Sequence, residues 1–154
     1  MAKKDLKFFM REQKEEIVKA PAPESFVDDE GNPIELEIKL LSNSRIQEIN
    51  DAYRKRSIAL DKKGNPYIAM GEVVFKTERD SARAVRHIIA EALVYPNLHD
   101  PELMDYYKCV DITEMPRMVF TRADEYQHVS RIVLAALGIG LGATDDETIE
   151  AAKN

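Results

Sequence analysis

The chain has one cysteine, no tryptophan and no long apolar run in 154 residues. One thiol, Cys109, cannot form an intrachain disulfide, and beside Val110 it reads as a small buried hydrophobe. No apolar stretch approaches the roughly 18 residues of a membrane span. The basic start, Met1 to Lys4, is followed by acids and lysines, not by the apolar stretch of a secretory signal. These absences predict a reducing, cytoplasmic setting with no membrane partner. A basic surplus is absent too. The formal charge of −6 disfavours a general nucleic-acid binder, whose footprint is a basic patch.

Assembled chemistry is also missing. Ser81 and Ser130 have no histidine that spacing can bring to them. Gly138-Ile139-Gly140-Leu141-Gly142 follows a helical pattern and leads into acids. A phosphate loop needs a strand before it and a helix N-terminus after it, so this run reads as a helix stop and a linker. The expectation is a protein that is not an enzyme, with no catalytic residues, no cofactor and no metal.

What is present suits a folded domain. A hydrophobic share of 44% with 32% charged residues is globular, and this length can bury about 70% of its extended surface. The expected organisation is a single domain over 1–154, with an ordered core at about 6–138 and a flexible acidic tail at 139–154.

Local patterns supply the elements. Leu6, Phe8, Phe9 and Met10 precede a charged run, as a frayed helix or an extended arm, which Ala20 to Pro23 stops. Asp28 to Pro33 is turn chemistry. Ile34, Leu36, Ile38 and Leu40 alternate with Glu35, Glu37 and Lys39, the signature of a half-buried strand. A helix is predicted from Ser44 to near Ser57, then a ragged hairpin around Lys62 to Pro66. Thr77 to Asp80 predicts the start of a helix reaching about Val94, with Ala82, Val85, Ile89, Ala92 and Leu93 inward. Asp100-Pro101 is an N-cap with proline at the first helical position. Pro116 places the next helix start near Glu114. Thr121 to Asp124 opens a last helix with Tyr126, Val129, Ile132, Val133, Ala136 and Leu137 inward, closed by Gly138. The fold class predicted from these elements is α+β, mainly α-helical: a small N-terminal strand or hairpin element packed with a C-terminal helical bundle.

Three groups could carry function. His87 with Glu91, and Asp124 with His128, are spaced four apart on helices, which suits a metal site but suits ordinary surface pairing better. Arg79, Arg83 and Arg86 form a stripe that could meet phosphates or stay solvated. Phe8, Phe9 and Met10, and Met104, Met115, Met118 and Phe120, are two soft apolar groups that read as core or as a protein-binding surface.

The order of Pro23-Glu24-Ser25-Phe26, the Ile34–Leu40 strand, the helix after Ser44, Pro96-x-Leu98-x-Asp100-x-x-Leu103 and Glu125-Tyr126 before the last apolar helix resembles the XkdN-like phage tail assembly chaperones. The resemblance spans about Phe8 to Gly138. One departure is visible: Ile34-Glu35-Leu36 stands where an aromatic is expected. The resemblance implies a non-catalytic α+β protein of the host cytoplasm that is absent from the mature particle. The implied partners are the tail tape-measure protein and tail-tube subunits. Phe8, Phe9, Met10, Met115, Met118 and Phe120 are the candidate protein-binding residues. The resemblance also raises a frameshifted longer product, if Ala152-Lys153-Asn154 is encoded by a slippery string. Rival readings are a small DNA-binding regulator using the arginine stripe and a structural tail subunit.

Overall fold

The computed structural model describes residues 4–139. The expected acidic tail and the proposed slip at Ala152–Asn154 lie outside the described residues.

A three-stranded antiparallel sheet forms the frame. Its strands are β1 (Ile17–Pro21), β2 (Glu35–Lys39) and, after two helices, β7 (Leu93–Tyr95), in the order β1-β2-β7. The alternation in β2 does what its period dictates. Leu36 and Ile38 point inward and are buried, while Glu35 faces water. The β1–β2 connection is held by Asp28, whose carboxylate accepts from the backbone N–H of Glu30 and Asn32 at 2.9 Å each.

Helices cover the inner face. α1 (Asn43–Ala52) is capped by Ser42, whose hydroxyl accepts from Arg45 N–H. α2 (Ser81–Ala92) is capped by Asp80 and buries Ala84, Ile88, Ile89, Ala90 and Ala92. α3 (Pro101–Tyr106) has Asp100 as N-cap, α4 (Met115–Val119) starts after Glu114, and α5 (Ala123–Ala136) carries Val129 and Val133 into the core. One cluster joins Leu36 and Ile38 to Ile89, Leu98, Met115, Phe120, Val129 and Val133. A smaller one ties Ile49 of α1 to Ile88 and Leu134. Gly138 ends α5 at φ +76, so that Gly138 N–H reaches Ala135 O and Ile139 N–H reaches Leu134 O at 2.8 Å.

Between α1 and α2 the chain makes a β-arm, residues 54–79. β3 (Arg54–Ile58) pairs with β6 (Phe75–Arg79), and beyond them β4 (Ile68–Ala69) pairs with β5 (Glu72–Val73).

The mainly helical expectation is therefore corrected. Among the described residues there are five α-helices and seven strands in three sheets, spread along the chain. Three segments expected in helices are strands instead, and Ile17–Pro21, expected as a frayed helix or an arm, is β1. Arg54 to Ser57 were expected to continue α1, but the helix stops at Ala52 and they are β3. Thr77 to Arg79 were expected to cap α2 but are β6, and Asp80 alone caps it. Leu93 and Val94 were expected to end α2 but begin β7. In each case long-range pairing overrides local helix propensity. Ala82, expected inward, is exposed, and the buried stripe of α2 runs through Ala84 and Ile88 instead.

Candidate protein-docking surfaces

Several candidate residues are used up inside the fold. Met115 and Phe120 are buried at 0% and 2% exposure, and Phe120 meets Phe26 edge-on at 5.5 Å. They are core and offer no surface to a partner. Met118, on the outer side of α4, is 37% exposed.

Polar groups once open to a chemical role are also engaged. Arg45 grips Glu91 with two bonds, Nε to Oε2 at 2.7 Å and Nη2 to Oε1 at 2.6 Å. This pair holds the Glu91 carboxyl below the usual carboxylate range. His87 Nδ1 and Tyr53 Oη share a hydrogen bond at 2.6 Å, and His87 Nε2 lies 3.7 Å from Glu91. Burial pushes its pKa down, against the pull of Glu91. His128 Nε2 meets Pro21 O at 2.9 Å, while Asp124 pairs with Arg122. The two histidine pairs are thus held apart by different partners, and among the described residues no group of three potential ligands comes together.

Arg79 lies in β6, outside the helix, and donates to Ser81 Oγ at 3.3 Å, while the other two arginines of the stripe are spent on a loop. Arg83 bonds Thr113 Oγ1 and Asp111, and Arg86 bonds Thr113 O at 2.9 Å. Asp111 in turn accepts from Thr113 N–H and hydroxyl, which holds its carboxyl below the usual range. These arginines lock the 111–114 loop to α2. Glu125, which the sequence marks with Tyr126 at the start of the last helix, has polar contacts that spacing did not foretell. It is buried, receives the Ser25 hydroxyl, and reaches back to Arg122 N–H at 3.2 Å. It ties the Pro23–Phe26 segment to the start of α5.

What remains for contact is apolar. Leu6 to Phe9 form a short 3₁₀ turn with no buried residue, and Phe8, Phe9 and Met10 are 74%, 84% and 73% exposed. Three neighbouring large apolar side chains left in water are a surface that a partner can cover. A cleft of about 530 Å³ lies between β7 and α3, lined by Tyr95, Leu103, Tyr106 and Tyr107 with Asp100 and Glu102 at hand. It shares Tyr95, Pro96, Leu103 and Tyr107 with an apolar pocket of about 240 Å³ that reaches Phe26 and Phe120. The β-arm is the third surface, with Ile58, Leu60, Tyr67, Ile68 and Met70 exposed. The cleft is walled by one stretch, residues 94–107, whereas the smaller pocket could not be found in the sequence, because its walls come from four separate segments.

A family model described as phage XkdN-like tail assembly chaperone protein matches residues 6–153. The chain belongs to this family. Within it, the chain is 32% identical over 152 residues to the uncharacterized protein YqbN of Bacillus subtilis strain 168, covering 97% of this chain and 93% of YqbN. It is 28% identical over 124 residues to XkdN of the phage-like element PBSX from the same strain, covering 79% and 76%. The crystal structure of YqbN superposes with a TM-score of 0.67 at 26% identity, covering 90% of this chain and 99% of that one. As an XkdN-like chaperone, the protein needs surfaces for other proteins. No helix among the described residues is long and apolar enough to cross a membrane.

Proposed function

We propose that this tail assembly chaperone binds the tape-measure protein, and with it tail-tube subunits, during tail assembly in the host cytoplasm. It acts without catalysis and leaves before the particle is complete. Membership of the tail assembly chaperone family is the observation that carries the reading. Its physical logic is solubility. A long, apolar helical chain must stay dispersed until tube subunits close around it, and a charged chaperone with a net −6 that covers its apolar stripe keeps it so.

The contact proposed is the N-terminal segment. Phe8, Phe9 and Met10 are exposed and flexible or flat enough to follow an irregular apolar helix. Of Met115, Met118 and Phe120, Met118 alone is open to a partner, since Met115 and Phe120 are core. The test is co-expression with the tape-measure protein of the same tail. The chaperone should raise its soluble fraction and elute with it, and mass spectrometry of purified particles should find tube and tape measure but not this chain. An unchanged soluble fraction with no shared elution peak would reject the binding. Recovery of the chain from finished particles would make it a structural subunit.

A further inference from the structure

We propose that the tip of the β-arm docks into the β7–α3 cleft of a second copy of this chain, so that the protein self-associates head to tail.

The arm first. Its outer turn is Met70-Gly71, with both residues in the left-handed region at φ +52 and φ +80. A two-residue hairpin turn of this kind favours Asn-Gly or Asp-Gly, because a bulky side chain at positive φ is strained. Here the first position holds methionine, and its side chain is fully exposed. Neither turn propensity nor packing within the chain accounts for that choice. A partner that covers the thioether does. Ile68 and Tyr67, next to it, are also exposed. The tip itself carries one charge, Glu72, and the arm around it carries seven Lys and Arg against Asp61 and Glu78, in a chain whose formal charge is −6.

The cleft answers each property. It is concave and large enough, at about 530 Å³, to take a methionine and a neighbouring side chain. Tyr95, Tyr106 and Tyr107 line it, and sulfur packs favourably on aromatic rings. Asp100 and Glu102 set carboxylates on a site that the cationic arm would approach. Because Met70 is fully exposed, it does not occupy the cleft of its own chain. Knob and socket are different surfaces, so the contact is heterologous and builds rings or chains instead of an isologous pair. The surfaces used are distinct from the Phe8–Met10 segment, so the inference stands or falls without the tape measure.

The experiment is sedimentation of the purified full chain over a wide concentration range. The average mass should rise with concentration, and added salt should weaken the association. Met70→Asn tests the arm and Tyr106→Ala tests the cleft. Tyr106 is 77% exposed, so its loss leaves the core intact. Each variant alone should bind itself at least about tenfold more weakly, as removal of an interface anchor does. Met70→Asn should at the same time keep or raise the melting temperature, because asparagine accepts the left-handed turn. A mixture of the two variants retains one intact contact, from the arm of one to the cleft of the other, and should form pairs. A chain that stays monomeric at every concentration overturns the proposal. So does association that survives either substitution, or a mixture of the two variants that stays monomeric.

Discussion

Arg45 closes a two-point ion pair on Glu91, and with it α1 is fastened to α2 across 46 residues of sequence. The Arg45 guanidinium also reaches Glu48 on its own helix at 2.9 Å. Glu91 is the more enclosed partner, with a side chain 19% exposed. Arg45→Ala should therefore cost about 1–2 kcal/mol, the lower part of the range for charge-assisted bonds, since the arginine side is partly solvated. Urea denaturation of the variant beside the parent chain measures it.

The same corner makes stability depend on pH. His87 and Glu91 both have folded pKa values below their ordinary 6.5 and 4.5. Each binds fewer protons folded than unfolded, so stability rises with pH through both windows. The share from neutral His87 is present above about pH 6.5 and is lost as pH falls through its lowered folded value. The share from Glu91 is present above its ordinary value and is lost further down. Melting temperatures taken from pH 7 downward should fall in these two stages. In Arg45→Ala the lower stage should flatten, because the main cause of the Glu91 shift is gone.

Phe120 and Met118 lie two residues apart and should respond very differently. Phe120→Ala opens a cavity beside Phe26 and should cost about 3–5 kcal/mol. Met118→Ala, at a partly exposed position, should cost less than about 1 kcal/mol. Equal losses from the two would contradict the placement of Phe120 in the core. Ile132, expected inward from its spacing, is only partly buried against the core, so its truncation should fall between them.

Glu125→Ala should destabilise by about 1–2 kcal/mol. It removes the side chain that reaches back to Arg122 N–H at the start of α5, and it leaves the Ser25 hydroxyl without its acceptor. Ser25→Ala should cost less, because Glu125 keeps its backbone partner. Thermal unfolding of the two single variants and the double variant gives their coupling.

Much of this fold was legible wherever a local rule is strict. The Ile34–Leu40 alternation gave β2, Asp100-Pro101 opened α3, Pro116 moved the start of α4 to Glu114, and Gly138 closed α5. The arm was legible as a ragged hairpin around Lys62 to Pro66, where Leu60 bridges Pro66, but β3, most of β6 and β7 were not legible. Arg54-Lys55-Arg56 has no strand pattern of its own and becomes one by pairing with Thr77 to Arg79. Leu93 continues the apolar stripe of α2 and leaves the helix only because β2 offers it an edge. For the same reason Met115 and Phe120 could not be told from a binding surface. Composition marks a side chain as apolar, but the neighbours that cover it come from elsewhere in the chain. Phe8, Phe9 and Met10 were legible as apolar, and the fold supplied the missing fact that nothing covers them.

The proposed hold of this chaperone on the tape-measure protein runs through that uncovered segment. The direct measurement is a pull-down of tagged tape measure, co-expressed with the full chain or with a Phe8→Ala, Phe9→Ala, Met10→Ala variant of unchanged melting temperature. A complex is expected with the parent chain, weakened about tenfold or more in the variant, because the removed side chains are exposed, not core, and serve as anchors in the proposed contact. An equally strong complex with the variant would contradict the assigned surface, and no complex with the parent chain would contradict the proposed hold itself.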